Sequence, residues 1–261
     1  MKTIVKSLKL ILSVLILNIS FSNAQKLPNV QKRSIYAPQN IKMDGTATEW
    51  NDTFEAYNKA VDLFYTVSND DKNIYLIVKT KYKDVIDKIL RGGLTFTINP
   101  GPNKKDKNSV SVTYPVLEGP DMWIVANKLA HLNNLYKEGE TINVNELNQL
   151  FYTKEKTLTV TGIEQISDQS ISIYNDNGIK PASLFDDKMT YTYELALPIA
   201  YIKLPNKDGV TFKYQIKINE APAMQRPAVI TASTPPPPPP MPVGTLATTD
   251  FWGEYTLAKK P

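Results

Sequence analysis

The sequence predicts an all-β fold: an antiparallel β-sandwich with one or two short connecting helices. Three observations carry this. Apolar and polar residues alternate with period two in one segment after another, clusters of Asn, Asp, Gly and Pro separate those segments, and stretches of helical period are few. At least nine strands are expected, each apolar on one side, and such sheets must bury that side against a second sheet.

Residues 25–38 (QKLPNVQKRSIYAP) lack periodicity and read as a leader into a single domain spanning 39–261. Ala60 to Ser68 and Asn73 to Lys81 are β-rich and form a hairpin around Asn69-Asp70-Asp71-Lys72, whose short polar side chains favour a tight turn. Asp84 to Arg91 sets Val85, Ile86, Ile89 and Leu90 on one side and stops at Gly92-Gly93, which predicts a two-turn helix. Leu94, Phe96 and Ile98 alternate with Thr95 and Thr97 in the next strand, and Val110, Val112 and Tyr114 mark another. Asn145 to Phe151 forms at most a further short helical turn.

Leu158 and Val160 mark a strand. Ser170 to Tyr174 is a strand entering Asn175-Asp176-Asn177-Gly178, where Asn-Gly suits the positive backbone angles of a hairpin bend. Tyr191, Tyr193, Leu195 and Leu197 alternate with Thr190, Thr192, Glu194 and Ala196, which predicts a strand with a single apolar face. Thr211 to Ile218 is the clearest strand, with Phe212, Tyr214, Ile216 and Ile218 on one face. Phe251 to Leu257 adds the last.

Two segments depart from this rhythm. Pro115 to Tyr152 is a long excursion containing Trp123, His131, Tyr136, Phe151 and Tyr152, and excursions of that length often carry function. Residues 221–249 hold nine of the 19 prolines, including the run Pro235 to Pro240, which predicts an extended polyproline rod in a surface loop.

At the start, Lys2, Lys6 and Lys9 precede the apolar run Leu10 to Leu17, and Ser22-Asn23-Ala24 offers the small residues of a cleavage site. Residues 1–24 therefore read as a signal peptide cleaved near Ala24, and the processed protein is expected to be secreted or periplasmic. No later segment is long and apolar enough for a membrane span. The three lysines of that leader leave 27 basic against 26 acidic residues, with three arginines, so the charge provides no footprint for nucleic acid.

The chain has no cysteine and one histidine, which removes disulfides, thiolate nucleophiles and multi-histidine metal centres. It also lacks G-x-S-x-G, H-E-x-x-H and a glycine-rich phosphate loop, so neither a catalytic residue nor a cofactor is assigned. Asp70-Asp71 and Asp186-Asp187 read as turn residues, because neighbours in a strand point to opposite faces and cannot flank one scissile bond. Lys104-Lys105-Asp106-Lys107 reads as a solvated turn tip. His131 receives no role.

Aromatic rings stack on the apolar faces of sugars and other flat ligands. Phe96, Tyr193, Phe212 and Tyr214 fall at inward strand positions and read as core. Trp123, outside any clean strand, is the leading candidate for a ligand-facing ring, followed by Tyr136 and Tyr152.

Ile41-Lys42-Met43-Asp44-Gly45, followed by Glu49-Trp50, resembles the opening of the family 9 carbohydrate-binding modules and their DOMON-like relatives. Val67 to Leu76, with Asn69 and Asp70 at its turn, resembles the hairpin that follows, and Tyr193 to Pro198 a late strand ending in proline. Gly162-Ile163, Asn177-Gly178-Ile179 and Thr249 to Tyr255, with Trp252, resemble uncharacterised secreted proteins of Bacteroidetes type. The residues themselves read as fold-making: Asp44, Gly45, Trp50, Asn69, Asp70 and Trp252 suit a tight bend, an apolar edge and a self-bonded turn.

The resemblance implies a non-catalytic β-sandwich with a glycan as its partner. No position matches the axial ligands of haem-binding relatives. The alternative reading is an envelope structural or protein-interaction role, with the proline-rich segment docking an envelope protein; behind both stand a haem-binding DOMON-like protein and a glycoside-active enzyme whose two carboxylates come from distant parts of the chain.

Overall fold

The structure is a computed structural model that describes residues 26–101, 106–205, 209–222 and 247–261. The expected signal peptide and nearly all of the proline-rich segment lie outside the described residues.

Among the described residues eleven strands form two antiparallel sheets. They are β1 (Ala56–Asn58), β2 (Leu63–Asn69), β3 (Asn73–Thr80), β4 (Leu94–Asn99), β5 (Val110–Tyr114), β6 (Thr157–Thr161), β7 (Ser170–Ser172), β8 (Lys180–Phe185), β9 (Tyr191–Pro198), β10 (Thr211–Ile218) and β11 (Thr249–Thr256). One sheet has the order β1-β2-β3-β9-β8 and the other β11-β10-β4-β5-β6-β7. The all-β sandwich read from the sequence is the fold observed.

Period two explains the packing between the sheets. Tyr65, Tyr193, Phe96, Phe212 and Tyr214 project inward and are fully buried, each burial contributing about 1.5–3 kcal/mol. The Tyr65 ring meets Phe251 of the opposite sheet at 5.1 Å, and Tyr114 meets Tyr193 at 5.9 Å. Gly253 has no side chain because the Tyr214 ring fills that space: a Cβ there would lie 2.3 Å from it.

Four expectations require correction. Among the described residues there are three α-helices where one or two were expected: α1 (Lys83–Gly92), α2 (Gly119–Leu135) and α3 (Asn145–Lys154). The excursion from Pro115 to Tyr152 is therefore mostly helical. Met122, Val125, Leu129 and Leu132 recur at helical spacing behind Pro120, and together with Leu147 and Phe151 of α3 they join the main core.

The Asn175–Gly178 turn does not close a hairpin. β7 pairs with β6, whereas β8 pairs with β9 in the other sheet, so the turn carries the chain between layers. Asn175 scaffolds this crossing by donating from Nδ2 to the carbonyls of Ser172 (2.9 Å) and Ile179 (2.8 Å). The Asn-Gly signal specified a left-handed backbone at Gly178, not the partner of the next strand.

Finally, β9 is not single-faced: Thr192, Glu194 and Ala196 are buried as well. The segment from Ala37 to Phe54 folds over the outside of the five-stranded sheet and packs Trp50 and Ala47 on Tyr75, Ile77 and Ala196. Residues before it occupy the edge of β2 beyond β1. The Gln31 side chain bonds both backbone groups of Val67 at 2.7 and 2.8 Å, and Asn69 exchanges backbone hydrogen bonds with Ile35 and Ala37.

Candidate functional site

The two outer sheet faces end differently. The five-stranded sheet is covered by the N-terminal segment; the six-stranded sheet presents a polar trough of about 820 Å³ to solvent. Its floor follows from strand register. Trp252 on β11 stands opposite Gln215 on β10, Gln215 opposite Thr97 on β4, Thr97 opposite Ser111 on β5, and Ser111 opposite Thr161 on β6. Two residues along, Lys217, Thr95 and Thr113 form a second row. All eight line the trough, with Asp106, Lys107 and Ser109 of the β4–β5 connection beside the first row and Asn219 beside the second.

These side chains are held by one another. Thr95 and Thr113 hydroxyls meet at 2.7 Å, and Thr97 and Ser111 at 2.9 Å. Gln215 Nε2 donates to Asp250 Oδ2 at 2.5 Å, and Asn219 Nδ2 donates to Thr95 Oγ1 and to the Gly92 carbonyl, both at 2.9 Å. A hydroxyl pair consumes one hydrogen and leaves a second hydrogen and several lone pairs for a ligand. Among the described residues Asp106 is the one carboxylate lining the trough, and Asp250, opposite Lys217 on β11, lies at its margin.

The sequence-predicted candidates sit elsewhere and are not brought together. Trp123 lies on α2 with 7% of its surface exposed, turned into the protein. Tyr136 caps the end of α2 and packs, half-buried, against the core. Tyr152 is exposed at the end of α3, where Lys156 Nζ lies 4.2 Å from its ring centre and 4.9 Å from that of Tyr174.

Of the residues read as fold-making, Gly45 and the adjacent Asp44 donate their backbone N–H groups to Glu194, and Trp50 meets Tyr75 edge-on at 6.2 Å. Asp70 Oδ1 accepts the N–H groups of Lys72 and Asn73 at 2.7 Å. Asn69 Oδ1 accepts from Tyr255 at 2.9 Å and from the Ala258 N–H at 2.7 Å. Trp252, in contrast, lines the trough.

The trough residues were visible in the sequence only as the polar members of strand alternations. The available signal was their chemistry, since Thr, Ser and Gln recur at Thr95, Thr97, Ser111, Thr113 and Gln215 where surface strands more often carry charge. Asp106 and Lys107, read as a solvated turn, form part of its wall; residues 102–105 lie outside the described residues.

A second polar cluster is enclosed between the sheets. Glu155 Oε2 accepts from Tyr114 and Ser183 hydroxyls, both at 2.7 Å, and burial pushes its carboxyl up to about 7. Among the described residues its Oε1 and the hydroxyls of Tyr191 and Tyr193 have no hydrogen-bond partner. Glu155, Tyr114, Tyr191 and Tyr193 are all buried, and the three tyrosine rings belong to the main core.

Among the described residues no group of three or more His, Asp or Glu side chains is placed to hold a metal ion, and no helix is long and apolar enough to cross a membrane.

No family model and no curated protein matches the chain. Among solved structures the chain is similar to a family 9 carbohydrate-binding module from Caldicellulosiruptor kristjanssonii determined in complex with glucose. The alignment covers 88% of this chain and 97% of that one, at 9% identity and a TM-score of 0.39.

Proposed function

We propose that this is an exported, non-catalytic glycan-binding protein whose ligand lies on the outer face of the six-stranded sheet. The observation that carries the reading is the row Trp252, Gln215, Thr97, Ser111 and Thr161. Hydroxyl and amide groups both donate and accept, as sugar hydroxyls do, and an indole supplies an apolar plane for a ring face. Export is supported by the basic, apolar and small-residue regions of 1–24.

The test is a glycan array probed with the purified protein, with Trp252→Ala and Gln215→Ala beside Tyr152→Ala. Binding to at least one glycan is expected, weakened roughly tenfold or more in both trough variants, which is 1.4 kcal/mol or more, and retained in Tyr152→Ala. Absence of binding, or binding indifferent to both trough variants, overturns the reading. Release of new reducing ends from a bound polysaccharide overturns its non-catalytic part.

A further inference from the structure

The next step rests on the outer face being a glycan site and specifies which part of a glycan it takes. We propose that the trough binds an internal stretch of a glycan chain laid across the strands, not a free chain end.

Length is the first argument. The row from Trp252 to Thr161 crosses five strands, and with neighbouring strands ~4.8 Å apart it extends roughly 19 Å, which accommodates several sugar rings in line. A site for one terminal ring needs only a fraction of that.

The second argument is the arrangement of polar groups in two parallel tracks. Lys217, Thr95 and Thr113 run beside Gln215, Thr97 and Ser111, two residues away along each strand and therefore about 7 Å apart. A ribbon-like chain of pyranose rings carries hydroxyls along both edges, and two tracks address both at once.

The ends of the trough are the third argument. Trp252 is on β11, the edge strand among the described residues, and none of these adds a strand beyond it; Thr161, at the other end, is exposed. The walls run along the sides, formed by Asp106, Lys107 and Ser109 on one and Asn219 on the other. Recognition of a chain end requires polar groups enclosed around the terminal ring, as in ligand pockets that bury most of their ligand. Of the lining residues described, only Thr95 is buried.

Isothermal titration with cello-, xylo-, malto- and laminari-oligosaccharides from one to six rings tests this, each with its reducing end intact and converted to the alditol. For the series that binds, the monosaccharide is expected to give no signal. Affinity should rise roughly tenfold or more between two rings and six, and conversion to the alditol should leave six-ring binding within about twofold. Thr161→Ala, at the end of the row remote from Trp252, should weaken the six-ring ligand and not the two-ring one, whereas Trp252→Ala should weaken both.

Monosaccharide binding as tight as that of six rings, or loss of binding on conversion to the alditol, overturns the internal-stretch proposal while leaving the glycan site intact. Failure of every oligosaccharide, together with an empty array, overturns the glycan reading and this inference with it.

Discussion

Glu194 Oε2 accepts the backbone N–H of Gly45 at 2.9 Å, joining residues 149 apart in the chain, and the Asp44 N–H reaches the same oxygen at 3.1 Å. This carboxylate on β9 anchors the segment that covers the five-stranded sheet. One outer face is thereby covered, whereas on the other the described residues form a trough.

The anchor makes Gly45 irreplaceable. Its φ is +83°, and a Cβ there would lie 2.7 Å from both Leu184 Cβ and the Ser183 carbonyl carbon. Gly45→Ala is expected to cost about 2–3 kcal/mol or more, read as a lower urea midpoint at unchanged slope. A midpoint equal to the wild type would show that the bend relaxes elsewhere.

Stability should fall as pH rises through neutrality. Burial pushes the carboxyls of Glu155 and Glu194 each up to about 7, above the ordinary 4.5. A raised carboxyl binds its proton more tightly folded than unfolded. Its contribution is therefore complete below the unfolded value near 4.5, declines as pH rises toward 7, and is lost above it. For the fully buried Glu155 this amounts to on the order of 3 kcal/mol. Thermal melts at pH 5, 6, 7 and 8 should show a falling Tm, and Glu155→Gln should flatten the decline; a Tm rising over that range contradicts the account.

The inter-sheet pair of Tyr65 and Tyr214, whose hydroxyls meet at 3.0 Å, predicts an order of effects. Tyr65 Oη also accepts the Gln31 N–H at 2.9 Å, so Tyr65→Phe strands two groups where Tyr214→Phe strands one. Leaving buried polar groups unpaired costs about 1–3 kcal/mol, and Tyr65→Phe should be the more destabilising in urea melts. The reverse order would mean that Gln31 finds another acceptor.

Three tryptophans in three environments give an optical prediction. Trp50 and Trp123 are 6% and 7% exposed, while Trp252 is half-buried on the trough. Acrylamide quenching should be dominated by Trp252, and Trp252→Phe should remove most of it along with any ligand-induced change in emission. Trp123→Ala should instead lower stability by about 3 kcal/mol and leave ligand binding as it was. Quenching that survives Trp252→Phe would relocate the accessible indole.

Much of the architecture was legible before any coordinates. Thr211–Ile218 was read residue for residue because a half-buried strand writes its faces into alternate positions, and Gly92-Gly93 marked the end of α1. The hairpin turn was legible for a similarly local reason, since Asp70 bonds the backbone two and three residues ahead of it. α2 escaped notice because its apolar positions sit among Trp123, Ile124 and Leu135, which blur the amphipathic contrast. β8, with Pro181 and few large apolar residues, gives little strand signal of its own.

The amino-acid order alone determined most of the strands, the apolar side of those that alternate cleanly, and hence that two sheets must stack. These follow from backbone geometry and from transfer of side chains out of water, both settled within a few residues. Only the tertiary structure decided that the Asn175–Gly178 bend crosses between sheets and that Trp50 and Glu194 secure a cover over one outer face. It alone lined up Trp252, Gln215, Thr97, Ser111 and Thr161 from five separate strands. The reason is that pairing register and the choice of which polar face remains uncovered depend on partners up to about 150 residues away, and local periodicity carries no record of them.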